Sequence, residues 1–171
     1  MSALALLRHD LPDGSWHVDL LVGPPGAAAA LLDADAVVAR TWRCLANPAE
    51  VAVGTTLELE QAADHRALYL SLDRERTLDG GRGRVTPLAR GSIEHHGCLA
   101  QIRWSSGACE LWLFDLEHRP PIVTVLARPA LRCEAPKKLE SNGSEESGRP
   151  SALVAGTFEP AGNAQPHLGR A

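Results

Sequence analysis

Leu99-Ala-Gln-Ile-Arg-Trp104, then Ser-Ser-Gly, then Ala108-Cys-Glu-Leu-Trp-Leu-Phe114 is the stretch that decides the fold class. Two runs rich in aliphatic and aromatic residues flank a short polar turn that contains glycine, which is the pattern of a β-hairpin. Alternate residues of a strand share a face, so Trp104, Trp112 and Phe114 are predicted to fill one side of it. Outward from this hairpin the same pattern recurs. Short apolar runs bounded by turn residues predict strands over residues 3–8, 16–22, 36–45, 54–60, 66–72, 83–88, 92–96 and 122–126. Gly23-Pro-Pro-Gly26 reads as a turn, and residues 27–33 as a short helix or an irregular insertion. Many short strands with turn punctuation and little helix predict a mainly β protein, a compact closed or partly open β-barrel.

The chain has 171 residues, enough for one domain of about 100–150 residues and a tail. The composition changes near residue 128. Beyond it come Pro129, Pro136, the acidic and serine-rich run from Glu140 to Gly148, and an end rich in Pro, Gly and Ala. Such a segment buries too little apolar surface to offset its chain entropy. Residues 1–128 are therefore the predicted domain, and residues 129–171 a disordered Pro/Gly/Ser/Glu-rich tail. No apolar run approaches the roughly 20 residues of a membrane span. The N-terminus, Met-Ser-Ala-Leu-Ala-Leu-Leu-Arg-His, lacks the basic start of a signal peptide and reads as a first strand. Cys44, Cys98, Cys109 and Cys133 form no CxxC pair, so the simplest expectation is reduced thiols in a cytoplasmic protein. Cys98 and Cys109 are also compatible with neighbouring strands. A net charge of −4 gives no strong electrostatic grip on nucleic acid.

Chemistry concentrates in Arg8-His9-Asp10-Leu11-Pro12-Asp13-Gly14-Ser15-Trp16-His17-Val18-Asp19. In the second half Trp16, Val18, Leu20 and Val22 alternate with polar residues, so they can enter a core while His17 and Asp19 point together into a cleft. The Pro-Asp-Gly turn folds the chain back and can bring His9 beside them. Two imidazoles and a carboxylate on adjacent strands suit a divalent metal with room for substrate. The plain alternative is a surface strand with solvated polar residues. Alternation over residues 64–71 places His65 and Tyr69 on one face, opposite Leu68 and Leu70, where they can grip or protonate a phosphate oxygen. The alternative there is a half-exposed histidine. Gly80-Gly-Arg-Gly-Arg lacks the Lys-Ser/Thr ending of a P-loop and reads as a tight turn into a strand.

In this order the motifs carry a resemblance. His9…His17-x-Asp19, Arg40-Thr-Trp42, Asp64-His65-x3-Tyr69, Gly80-x-x-Gly83-x-Val85 and Ala89-Arg-Gly-Ser-Ile-Glu94 follow one another as similar motifs do in the 3′-phosphoesterase domain of bacterial DNA ligase D. The match spans about residues 4–128 and looks closest to stand-alone members of that family. The resemblance implies a β-barrel with a Mn2+-dependent site that removes a 3′-terminal phosphate or ribonucleoside from nucleic-acid ends, with DNA-repair proteins as partners. It implies that His9, His17 and Asp19 bind the metal, that His65 contacts the scissile phosphate, and that Tyr69 supports it. The chain also departs from the family. Leu21 stands at the position of a phosphate-binding arginine, Gly23 at that of a glutamate, and Ala46 at that of an active-site lysine. The loop between the two histidines is longer than in the family. Charge-assisted contacts are worth roughly 1.5–3 kcal/mol each, so losing two leaves a non-catalytic barrel, serving as a binding or accessory module, as the alternative function. Arg8, Arg43 and Arg82 are the candidate replacements.

Overall fold

The computed structural model describes residues 1–129, and the predicted tail lies outside them apart from its first residue. The strands are β1 (Ser2–Asp10), β2 (Trp16–Val22), β3 (Val37–Cys44), β4 (Thr56–Glu58), β5 (Glu60–Gln61), β6 (His65–Arg66), β7 (Arg76–Thr77), β8 (Arg84–His96), β9 (Leu99–Trp104), β10 (Cys109–Asp115) and β11 (Ile122–Ala127). The protein is mainly β, as expected. Among the described residues the helical content is three short 3-10 turns, Ala29–Leu31, Ala67–Leu70 and Asp79–Gly81.

The hydrogen-bonded order is β4-β11-β10-β9-β8-β1-β2-β3-β5, with β6 against β3 and β7 against β8. Every pairing is antiparallel. The two ends of this order are joined by Leu59 alone, so the sheet curls until both edges meet on residues 56–61. Leu59 is buried there, and its N–H donates to the Pro121 carbonyl at 2.7 Å.

Alternation gives the inner strands two apolar faces. Leu4 and Leu6 of β1, Val18 and Leu20 of β2, Ile93, Ile102, Trp104, Trp112, Phe114, Val123 and Val125 fill the inside of the curl, including the three aromatic residues predicted to share a face. Ala5, Leu7, Leu21, Ala39 and Val85 point outward and are roofed by Tyr69 and Leu70. Burying this many large side chains, at about 1.5–3 kcal/mol each, is the main driving force for the fold. Within the core, the Trp112 indole N–H donates to Glu110 at 2.7 Å, and Arg128 Nε meets the same carboxylate at 3.0 Å. Arg128 also donates to the Pro48 and Val51 carbonyls. The buried acid is thus paired and bonded, as a buried charge must be.

The structure departs from the expected strands and thiols at several places. Residues 66–72 are not a strand: after two residues of β6 the chain turns through the 3-10 segment, so strict alternation fails and Leu70 joins Tyr69 in the buried layer. The two strands predicted at 83–88 and 92–96 are one, β8. Gly91 keeps it continuous, since a Cβ there would stand 2.2 Å from the Arg103 carbonyl oxygen of β9. Trp16 is 40% exposed and stays outside the core. Cys98 lies in the turn between β8 and β9, away from Cys109. Cys44 and Cys98 are free thiols, while Cys109 is disulfide-bonded, so four reduced thiols are not what the fold contains. Among the described residues no helix is long and apolar enough to cross a membrane.

Candidate metal centre

The β1–β2 hairpin sets the register of the centre. Pro12, Asp13 and Gly14 form its turn: Gly14 N–H donates to the Leu11 carbonyl, Leu11 N–H donates to the Ser15 carbonyl, and Gly14 takes φ +86°. This is a tight turn closed by a left-handed glycine, the arrangement that proline and glycine at these positions favour. Asp13 accepts from the Ser15 N–H and hydroxyl, which fixes the turn and holds its carboxyl below the usual range. The loop between the two histidines closes here, and His9 pairs directly across the hairpin with His17. Asp19 pairs with Leu7 on one side and Arg43 on the other.

His9, His17 and Asp19 all project from the outward face, and the ligand atoms of the three lie within 4.8 Å of one another. His17 Nε2 is 3.3 Å from Asp19 Oδ1, and His9 Nδ1 is 3.8 Å from Asp19 Oδ2. Ligands at 2.0–2.2 Å from one ion stand about 3.0–3.4 Å apart. The first pair already meets that spacing, and the second needs to close by about half an ångström. Asp19 is buried (1% exposed). Among the described residues neither His17 Nε2 nor Asp19 Oδ1 finds a hydrogen-bond partner, although both atoms are buried. Such orphaned groups are rare in folded proteins, and one cation coordinated by both would satisfy them. The donor set, two imidazoles and a carboxylate, fits a divalent transition metal.

His9 and His65 are each oriented by a backbone acceptor. His9 Nε2 lies 2.9 Å from the Arg82 carbonyl. A carbonyl only accepts, so Nε2 carries the hydrogen and Nδ1 keeps its lone pair toward Asp19. That carbonyl is placed by Gly83, whose φ is +96° and where a Cβ would come within 2.0 Å of the Asp10 carbonyl oxygen. His65 Nδ1 lies 3.0 Å from the Ala63 carbonyl and 2.9 Å from Thr41 Oγ1, whose own hydroxyl donates to Ala39. Its Nε2 faces Asp19 Oδ2 at 3.9 Å. The Tyr69 ring stands edge-on to His65, with centroids 5.6 Å apart. His65 and Tyr69 therefore come together, through the 3-10 turn and not through strand alternation.

Three arginines share the cavity of about 350 Å3 lined by His9, Asp19, His65 and Tyr69. Arg43 Nε is 3.7 Å from Asp19 Oδ1, with its side chain 40% exposed. Arg66 is held by Asp35 at 3.1 Å, and Arg82 donates to the Asp79 carbonyl. Arg8 points the other way, onto the Trp16 ring, and does not line the cavity, so it does not replace the absent cations. Leu21 and Gly23 are absorbed by packing: Leu21 is fully buried in the outer layer, and a Cβ on Gly23 would meet Leu70 Cδ1 at 2.9 Å. Ala46 lies past the end of β3, in the depression beside Arg8 and Trp16. Thr41 is the residue at the centre that the sequence did not point to, whereas Arg43 was among the candidate replacements. Both follow from extending the outward alternation of β2 to Ala39, Thr41 and Arg43 of the neighbouring strand.

Burial depresses the His17 pKa below its ordinary 6.5, outweighing the opposing pull of Asp19, and Arg43 and His9 push the same way as burial. His95 is lowered likewise, by burial and then by His96. The folded state therefore takes up these protons less readily than the unfolded chain. The stability this represents is full above about pH 6.5 and is lost as pH falls through the lowered values. The metal-free protein is expected to melt at a lower temperature at about pH 5 than at about pH 7. A melting temperature that rises as pH falls over this interval would contradict the assignment. No family model matches the chain, and no curated protein matches it.

Proposed function

We propose that the protein is a divalent-metal-dependent phosphoesterase, similar to the 3′-end-processing domains of DNA ligase D and acting on a 3′-terminal phosphate or ribonucleoside of a nucleic-acid end. The observation that carries this reading is the pair of buried, unpartnered ligand atoms, His17 Nε2 and Asp19 Oδ1, clustered with His9, where His9 and Asp19 line a cavity that also holds Arg43, His65 and Arg82. His9 Nδ1, His17 Nε2 and Asp19 would hold the ion, with Mn2+ the expected metal, and when bound it supplies Lewis-acid polarisation of a phosphate oxygen. Arg43 brings a guanidinium from β3 where the family uses an arginine on β2, and guanidinium is the fixed cation best matched to phosphate. His65 presents Nε2 to the same space. Its Nδ1–H is committed to Ala63 and Thr41, so Nε2 donates to a phosphate oxygen only when the ring is protonated. Tyr69 holds the ring edge. A cytoplasmic location and DNA-repair partners belong to this reading.

Leu21 and Ala46 favour a second reading, a barrel that binds metal and ligand without turnover. A primer–template ending in a 3′ phosphate, incubated with the full chain and Mn2+, separates the two. Release of inorganic phosphate that His17→Ala abolishes supports the enzyme. Tight Mn2+ binding with no release from any 3′ end supports the binding module.

A further inference from the structure

The centre has a second side. His17 and Arg43 also line a separate groove of about 640 Å3, with Trp16, Leu45 and Pro121 as apolar walls and Glu58 and Glu60 along it. Arg43 faces both spaces, so the cluster stands on the divide between the cationic cavity and this groove. The volume falls in the range of small-molecule subsites. Two large apolar side chains are left in water at its edge: Trp16 is 40% exposed and Leu45 81%. The Trp16 indole is held in place from behind. The Arg8 guanidinium lies 4.7 Å from its centroid and is itself paired with Asp10 at 2.8 Å. Arg8 and Trp16 line the next depression together, and Arg8 does not line the groove. Trp16 thus lines both spaces, with Arg8 over its ring on the side of the depression and absent from the groove.

We propose that this groove is the subsite for the organic arm of the phosphoester, and that it selects a flat, uncharged arm, aryl or nucleobase, stacked on Trp16. The inference rests on the phosphoesterase reading. The phosphate sits among Arg43, Arg82 and His65, and the ester arm crosses the divide past His17. An aromatic arm gains stacking and apolar burial against Trp16, Leu45 and Pro121. Glu58 and Glu60 repel a further phosphate or carboxylate on that arm. In the diester to a 3′-terminal ribonucleoside, the nucleic-acid chain therefore enters from the cavity side, and the terminal nucleoside, with no continuing polyanionic strand, ends in the groove.

The test uses non-hydrolysable phosphonates, so that affinity is read apart from turnover. Binding of methylphosphonate, phenylphosphonate and 4-carboxyphenylphosphonate to the full chain with Mn2+ is measured by calorimetry. Phenylphosphonate is expected to bind roughly tenfold tighter than methylphosphonate, on the scale of one ring stacked on an aromatic side chain. The 4-carboxyl group should erase most of that gain. In Trp16→Ala the ratio between the phenyl and methyl ligands should collapse toward unity, and Trp16→Phe should restore most of it. Trp16 is exposed enough for both variants to fold, which a melting curve verifies. Equal affinity of the wild type for the phenyl and methyl ligands, or an unchanged ratio in Trp16→Ala, overturns the groove assignment and leaves the phosphoesterase reading standing. Tighter binding of the carboxylated ligand than of phenylphosphonate overturns the charge selection. Failure of all three phosphonates to bind in the presence of Mn2+ overturns the phosphoesterase reading and the groove with it.

Discussion

Asp19→Asn is expected to lower Mn2+ affinity by at least about 100-fold and to abolish phosphoester turnover with it. The scale is set by outer partners of metal ligands, whose loss typically costs 10–100-fold; a ligand that supplies the negative charge itself should cost more. Asp19 is the hub of the centre. Its Oδ1 faces His17 Nε2 at 3.3 Å and Arg43 Nε at 3.7 Å, while its Oδ2 faces His9 Nδ1 at 3.8 Å and His65 Nε2 at 3.9 Å. It is the only carboxylate among these groups, so the amide leaves three imidazoles and an arginine with nothing to neutralise a dication. Asparagine keeps the volume of the side chain, and the outer layer around Leu7 and Leu21 should stay packed. The Arg43 side chain is 40% exposed, so water screens its loss of a counter-ion, and the metal-free melting temperature should move little. Calorimetric titration with Mn2+ and a thermal melt on the same preparation read the two effects separately. Unchanged Mn2+ affinity in Asp19→Asn would remove the metal assignment.

The hairpin carrying this centre was legible because its physics is local. Pro12, Asp13 and Gly14 specify the turn, and period-two alternation then fixes which side chains of β1 and β2 share a face. The His9–His17 pairing follows from those two facts. What alternation does not say is which face is inside. Val18 and Leu20 look outwardly equivalent to Leu21 in sequence, yet Leu21 packs on the opposite side, under Tyr69 and Leu70. A strand buried on both faces reads as a nearly continuous apolar run, and only the roofing segment shows that the centre lies on the outside of the curl. Trp16 was misplaced for the related reason that strand ends escape the core. The 3-10 turn at Ala67–Leu70 was hidden because a short apolar run fits strand and turn alike.

The same roof constrains the residues at positions 21 and 23. Leu21 is sealed beneath it, and Leu70 Cδ1 occupies the space that a side chain at Gly23 would need. A long polar residue at either position would have to displace that packing. Arg43 escapes this constraint because β5 pairs with β3 only at Trp42 and Arg43, leaving the guanidinium at the rim. Arg43 thus brings a cation from β3 to face the Asp19 carboxylate at 3.7 Å.

His65→Ala is the remaining large effect. It is expected to lower turnover by about two decades or more, on the scale of removing one donor that stabilises developing charge, with Mn2+ affinity unchanged. The hydrogen bonds from Nδ1 to Ala63 and Thr41 fix the ring so that Nε2 points at the cavity, 3.9 Å from Asp19 Oδ2. From there a protonated ring can donate to a phosphate oxygen held beside Arg43. The same geometry offers the bare Nε2 of the neutral ring as a fourth metal ligand, and the two roles separate cleanly. A phosphate contact predicts lost turnover with intact Mn2+ affinity; a ligand predicts that both fall together. If His65 only props the roof over the outer layer, the substitution lowers the melting temperature, because Thr41 loses its partner and Tyr69 its ring contact, while turnover per folded molecule holds. Mn2+ affinity, melting temperature and 3′-phosphatase turnover measured on one His65→Ala preparation therefore assign the residue. Full turnover in the variant, against an active wild type, would rule out both the phosphate contact and the ligand.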